Sequence, residues 1–317
     1  MNRSHTAAKK HSSSKHPQRP ERAQIILLLA LTLPVMIGAM AMSADVGVLY
    51  FNWQCLQSAA DAGAVAGAAY LPSNSALAIS TANSFVAKNG IRPAEITSTT
   101  VSSDAHSLNI RLLRNVPYSF ALLLGLVTGN VSAQATAQIQ TIGKAIGVTP
   151  MGIDYRTTYS SGQVVTLIQG QVGPGNWGAL ALGGSGASNL STNIQNGYQG
   201  SIASGDLVTT ETGLSVGPIR SSFNFLITAG QNSDPGGTFA SHTATDQRVL
   251  IVPMVDFSSI NGNSQVPVKG FAALWLVSDD SQDTIQTYFI NQVAPGSTPD
   301  ITGTSTNFGA FEAVLIQ

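Results

Sequence analysis

The sequence predicts an α+β protein. It has a long N-terminal transmembrane helix continuing outside the membrane, a small helix-on-antiparallel-sheet domain, and then a β-rich C-terminal domain. Three observations predict this. Ile25 to Ala44 is an apolar run without a charged residue. Val46 to Leu71 keeps a helical pattern and contains no proline. From Gly143 onward Gly, Ser, Thr and Asn dominate, and short alternating stretches replace helical periodicity. The expected divisions are a disordered basic tail over 1–22, a transmembrane and extended helix over 23–71, a small α+β domain over 72–142 and a β-rich extracytoplasmic domain over 143–317.

The apolar run comes first in the argument. At ~1.5 Å per residue, ~20 helical residues span the ~30 Å hydrocarbon layer of a bilayer. A charge near mid-bilayer is costly, so a run this long without one reads as a single-pass span contacting lipid through residues 25–44. Pro34 is tolerable there, because neighbours and local adjustment re-satisfy the carbonyl it frees. Arg3, Lys9, Lys10, Lys15, Arg19 and Arg22 all precede the run, with only Glu21 opposing them. Positive flanks stay cytoplasmic, which places the N-terminus inside and the body outside. Tyr50, Phe51 and Trp53 suit an interfacial belt just beyond the span. The competing reading is a cleaved signal peptide, with Ala39-Met40-Ala41 as the cleavage-like site. The run is longer than the ~7–15 residues of a signal-peptide core, which favours the anchor.

The helical pattern then continues. Gln54, Gln57, Ser58 and Asp61 fall on one polar face, and Leu49, Trp53 and Leu56 on another. Ala59, Gly63 and Gly67 lie four apart and form a smooth strip that admits a close backbone. With Gln57 and Asp61 beside it, the strip is a candidate helix–helix interaction surface. Its neighbour is either the chain's own domain or a helix of another chain in a homo- or hetero-oligomer. Pro72 closes the segment.

Pro20 to Pro72 resembles the N-terminal region of the TadE/TadG-like proteins of the tight-adherence (Flp) pilus-assembly system. The residues carrying the resemblance are Glu21 before the span, Leu33-Pro34 within it, Asp45-Val46-Gly47-x-Leu49-Tyr50 at its exit, and Leu56-Gln57-x-Ala59-Ala60-Asp61-Ala62. Two further stretches are similar: Val116-Pro117 through Val131-Ser132-Ala133, and the Gly-rich block beginning Gly175-Asn176-Trp177-Gly178. The resemblance implies a protein anchored in the bacterial cytoplasmic (inner) membrane, with its body outside, serving pilus assembly, secretion or adhesion beside pilin-like partners. Some related pilin-like members are trimmed after a Gly preceding the apolar run. Here Arg22-Ala23-Gln24 precede it, so the resemblance does not carry that processing.

Beyond the long helix, Ser73 to Asn89 reads as a helix, capped by Ser73 or Ser75 and closed at Gly90. Ile96–Ser102 and Ser107–Leu113 alternate as a hairpin, and Asn130–Ile142 makes a third strand. Tyr118 to Val127 is apolar and too short to span, so it reads as a buried or membrane-surface helix. Gln163–Gln169, Leu250–Val255 and Val268–Val277 are the clearest later strands, and Ala187–Ile194 and Val216–Leu226 short helices.

Charged residues make up only 10% of the 317, with no basic face, which argues against nucleic-acid binding. The single cysteine, Cys55, permits no internal disulfide; it reads as a small packed residue, the alternative being a pair with another chain in an oxidising compartment. Gly183-Gly184-Ser185-Gly186 is not followed by the Gly-Lys-Ser/Thr of a phosphate loop. Asp256-x-Ser258-Ser259 is similar to the metal-adhesion motif of von Willebrand A domains, but Ile260 stands where a further hydroxyl is needed. It reads as a strand-ending turn. Asp279, Asp280 and Asp283 lack calcium-loop spacing and read as a solvated acidic loop. His106 and His242 sit among small polar residues, without a nucleophile motif nearby. The sequence therefore reads as a structural protein and not an enzyme, with no cofactor and no metal.

Overall fold

The computed structural model describes residues 20–168, 177–211, 216–243, 245–258, 260, 262–279, 284–294 and 296–316. The tail before Pro20, part of the Gly173–Gly178 turn, and Asp280 and Asp283 lie outside the described residues. The fold is mixed α+β, with one long apolar N-terminal helix and a β-rich C-terminal region. In chain order it runs α1 (Pro20–Ala68), α2 (Ser75–Lys88), β1 (Ile96–Val101), β2 (Ser107–Pro117), β3 (Thr128–Ala145), β4 (Met151–Asp154), β5 (Val164–Ile168) and β6 (Trp177–Ala179). It continues with α3 (Ala187–Asn196), β7 (Ile202–Ala203), β8 (Leu207–Thr209), α4 (Val216–Ser233), β9 (Val249–Val255), β10 (Gln265–Asp279), β11 (Thr284–Ile290), β12 (Gln292–Val293), β13 (Thr298–Pro299) and β14 (Ala310–Ile316).

Two compact units divide the chain. One comprises Met1–Asn52 and Asn115–Asn130; the other comprises Trp53–Arg114 and Val131–Gln317. Helix α1 contributes to both. It ends at Ala68, short of the expected Leu71, because the backbone tightens there: Tyr70 N donates to Gly67 O and Leu71 N to Ala68 O. Such i→i+3 bonds close a helix that a following proline cannot continue.

In the first unit, α1 runs through Pro34 as one helix, and every residue from Ile25 to Met40 is exposed. Among the described residues it is the one helix long and apolar enough to cross a membrane. The segment between β2 and β3 corrects an expectation. Residues 118–127 form no α-helix, and their described side chains are not buried. They form a loop with a single 3₁₀ turn, Ala121–Leu124, and Phe120, Leu122, Leu123, Leu126 and Val127 are exposed. Gly125 at φ 84° reverses the chain in the left-handed region, which stops the helix after one turn.

In the second unit, one sheet has the order β1-β2-β3-β14-β12, with β7 and β13 also paired to β3. β1 and β2 are antiparallel, as are β3 and β14, with Ala313 opposite Ile139. Along β3, Val131, Ala133, Ala135, Ala137 and Ile139 are buried while Ser132 and Gln134 are exposed, which is the period of a half-buried strand. The boundary expected at 142/143 falls inside β3, and the C-terminal strand β14 completes the sheet that β1–β3 begin. Helix α2 buries Ala78, Ala82 and Val86, one per turn. Its cap is Asn74, whose side-chain oxygen accepts from Leu77 N at 2.9 Å, one residue from either serine expected. Buried Glu95 accepts from Arg114 Nε at 2.7 Å and from Arg92 at 2.8 Å. The Arg114 hydrogen bond, chief among these contacts, outweighs burial and lowers its carboxyl to about 2.

The other sheet has the order β5-β11-β10-β9-β4-β6, antiparallel throughout except for β4 beside β9. Its central strand β10 is buried on both faces. Phe271, Ala273 and Trp275 join one core, while Ala272, Leu274 and Leu276 join another with Phe223 of α4 and Leu190 of α3. A strand covered on both faces reads in sequence as a continuous apolar run, as Phe271 to Val277 does. β9 ends at Val255, and Asp256 then accepts from Ser258 N at 2.9 Å, the turn expected there.

Candidate functional site

The first unit is built around a carboxylate. Asp45 closes the apolar run of α1 and is buried. Its Oδ1 accepts from Ser119 N at 2.8 Å and its Oδ2 from Ala121 N at 2.7 Å; Phe120 N donates to both, at 3.2 and 3.0 Å. The helix thus supplies the acceptor for the opening N–H groups of a loop more than seventy residues away. A buried carboxylate is tolerable only with such donors. Tyr118 packs nearby: a Cβ added at Gly129 would lie 2.4 Å from its hydroxyl oxygen, so Gly129 leaves room for the ring.

Between this loop and α1 lies a cleft of about 580 Å³. Leu33, Ile37 and Met42 line it from the helix, and Phe120, Leu123 and Leu126 from the loop. Asp45 at its edge is spent on the loop backbone, so the lining is apolar almost throughout.

In the second unit the structure places each expected helix-contact residue. Ala59 is fully buried. A Cβ on Gly63 would lie 2.5 Å from Val86 Cγ2 of α2 and 3.0 Å from Ile110 Cδ1 of β2. One on Gly67 would lie 2.7 Å from Ala78 O and 2.8 Å from Leu108 Cδ1. At Gly63 and Gly67 the strip is therefore a close helix–helix contact with the chain's own α2. A helix from another chain would have to displace α2 to use it. Gln57 donates to Asp61 Oδ1 at 2.8 Å and to Gln134 O of β3 at 2.9 Å, so this pair ties α1 to the sheet. Cys55 is half-buried.

This unit has a cleft of its own, of about 510 Å³, that no sequence motif marks. Tyr155, Tyr159, Phe289 and Phe308 line it together with Asn291 and Asn307. Tyr159 stacks on Phe289 with ring centroids 5.6 Å apart. Its remaining described lining is hydroxyl-bearing or glycine, and Lys269 Nζ lies 5.8 Å from the centre of the Tyr155 ring. The contributing residues are spread from 155 to 309, and no local spacing joins them. The histidines have structural surroundings. His106 meets Phe311 edge-on, and His242 lies 3.1 Å from Gln292 Oε1 and tilts over Trp275 at 4.6 Å. Among the described residues, no group of three or more His, Cys, Asp and Glu gathers for a metal ion.

No protein-family model, no curated protein and no solved structure matches the chain.

Proposed function

We propose that the chain is a membrane-anchored structural component of a Flp/Tad-type pilus or secretion apparatus, serving pilus assembly and adhesion. The supporting observation is the outer surface of α1: from Ile25 to Met40 its large apolar side chains are all exposed, with Leu28 64% and Val35 72% accessible. Water is a poor solvent for that collar, and the hydrocarbon of a bilayer is a good one. The pilus assignment comes from the TadE/TadG-like residues of Pro20 to Pro72. In this reading the N-terminus is cytoplasmic and the body extracytoplasmic, and pilin-like proteins are the partners. Because α2 covers Gly63 and Gly67, and Ala59 is buried, partners meet other surfaces. Deleting the chain from its host is expected to abolish pilus-dependent surface attachment, and the full chain is expected to restore it. Restoration by a secreted form starting at Asp45 would defeat the anchored reading.

A second reading, a surface binding module released by signal peptidase, is favoured by the aromatic cleft of Tyr155, Tyr159 and Phe289. Rings beside amides and hydroxyls suit a neutral, hydroxyl-rich ligand such as a glycan. The chain is expected to bind members of an immobilised glycan panel and Tyr159→Ala to lose that binding; a panel that binds nothing would end this reading.

A further inference from the structure

We propose that the cleft between α1 and the 118–127 loop holds an acyl chain of a bilayer lipid, with the loop inserted in the leaflet at the Asp45 end of the span. The inference rests on reading Ile25–Ala44 as a membrane span and adds a second lipid contact to it.

The loop's surface asks for such a medium. From Asn115 to Asn130 there is no charged residue. Leu123 is 86% exposed, and Phe120, Leu122, Leu126 and Val127 are exposed with it. An apolar patch this concentrated marks a contact surface and not ordinary solvent-facing chain.

The loop backbone is also prepared for hydrocarbon. An irregular segment enters lipid only when its polar groups are satisfied internally. Here Asp45 takes the N–H groups of Ser119, Phe120 and Ala121. Tyr118 N donates to Val127 O, Leu123 N to Phe120 O, Gly125 N to Leu122 O and Leu126 N to Ala121 O. Seventy residues upstream, one carboxylate thus lets an irregular chain shed water from its leading edge.

The cleft's shape and position point to an acyl chain. Its helix wall runs from Leu33 to Leu49, roughly 24 Å of axis at ~1.5 Å per residue. Leu33, Ile37 and Met42 belong to the apolar run itself, so the cleft is continuous with the surface that would face lipid. A long apolar slot opening onto hydrocarbon fits a flexible chain. Asp45 is the positioning residue: its carboxylate is taken up by the loop backbone and fixes the loop that forms the second wall.

The test uses the full chain in vesicles of phosphatidylethanolamine and phosphatidylglycerol, with a phosphatidylethanolamine carrying a diazirine in its acyl chain. After illumination, lipid adducts are mapped by mass spectrometry. Adducts are expected at Phe120 and Leu123 at a yield comparable with Leu28 in the span, and also at Ile37. Asp45→Ala is expected to lower the loop adducts at least fivefold while leaving Leu28 unchanged. Gly38→Leu, at a site with nothing within 4 Å of an added Cβ, fills the cleft floor and is expected to lower Ile37 and Phe120 adducts severalfold. Adducts at Leu28 without any at Phe120 or Leu123 would overturn the inference and leave the span intact. Absence at Leu28 as well would mean that the span reading itself had failed. Unchanged yields in Gly38→Leu would show lipid touching only the loop's outside and overturn the cleft assignment. Leu123 adducts that fall as the protein-to-lipid ratio is raised, with Leu28 adducts unchanged, would make a second copy the occupant and overturn the inference.

Discussion

The two stretches of α1 share a secondary structure and nothing else. Over Ile25 to Met40 the helix carries Leu, Ile, Val and Met outward, all exposed. From Leu56 to Ala68 it carries Ala and Gly inward, and Leu56, Ala59, Ala60, Ala64 and Ala68 are fully buried. The contrast teaches what each stretch takes as its solvent. Large apolar side chains facing out suit fluid hydrocarbon, which adapts to any shape. Small ones facing in suit a neighbouring backbone, which does not.

Paired truncations break the comparison most strongly. Leu56→Ala opens a cavity in a packed core and is expected to cost about 2–5 kcal/mol of stability in the second unit. Leu28→Ala removes a larger exposed surface, yet is expected to leave that stability unchanged. Denaturant unfolding of the two variants in detergent checks both. Next comes a charge in the collar. Val35→Arg is expected to disfavour membrane insertion by about 2.5–3.5 kcal/mol, read as the fraction resisting carbonate extraction. The same assay on Val65→Arg, at a partly exposed site beyond the expected span, should show no such loss.

Glycines sharpen the comparison at smaller scale. Gly67→Ala places a Cβ 2.7 Å from Ala78 O, a backbone atom that cannot step aside cheaply. Overpacking of about 1–3 kcal/mol is expected to exceed the ~1 kcal/mol that Ala gains in helix propensity. Gly38→Ala meets nothing within 4 Å and is expected to be neutral or slightly stabilising. A thermal melt of each variant distinguishes them; equal behaviour would mean that the strip is not tightly packed.

The remaining expected effect is one of pH. Glu95 titrates at about 2 in the folded chain, against its ordinary 4.5, because Arg114 and Arg92 hold its carboxylate. A depressed carboxyl stabilises the fold above its unfolded value, and that contribution is lost as pH falls from about 4.5 toward 2. Glu95→Gln should flatten this part of the stability-against-pH curve.

What was legible in the sequence follows from range. The long helix, α2, the β1–β2 hairpin and the strands β9 and β10 were readable because each carries its own period over neighbouring residues. The Ala59/Gly63/Gly67 spacing declared a close neighbour but not which one, since spacing encodes distance of approach and not identity. The 118–127 loop reads as a helix in sequence because apolar composition alone cannot distinguish a helix from a loop. The deciding acceptor, Asp45, lies on another element. The pairing of β14 with β3 and the aromatic cleft of Tyr159 and Phe289 are equally non-local, and no window of sequence contains them.

An anchor requires that the exposed collar of α1 stay attached to the body and in a membrane. Intact-mass measurement of the protein extracted from its native membranes tests this most directly. The account predicts a membrane-bound species whose mass includes the residues from Met1 through Ala44. A soluble species beginning near Asp45 would contradict it.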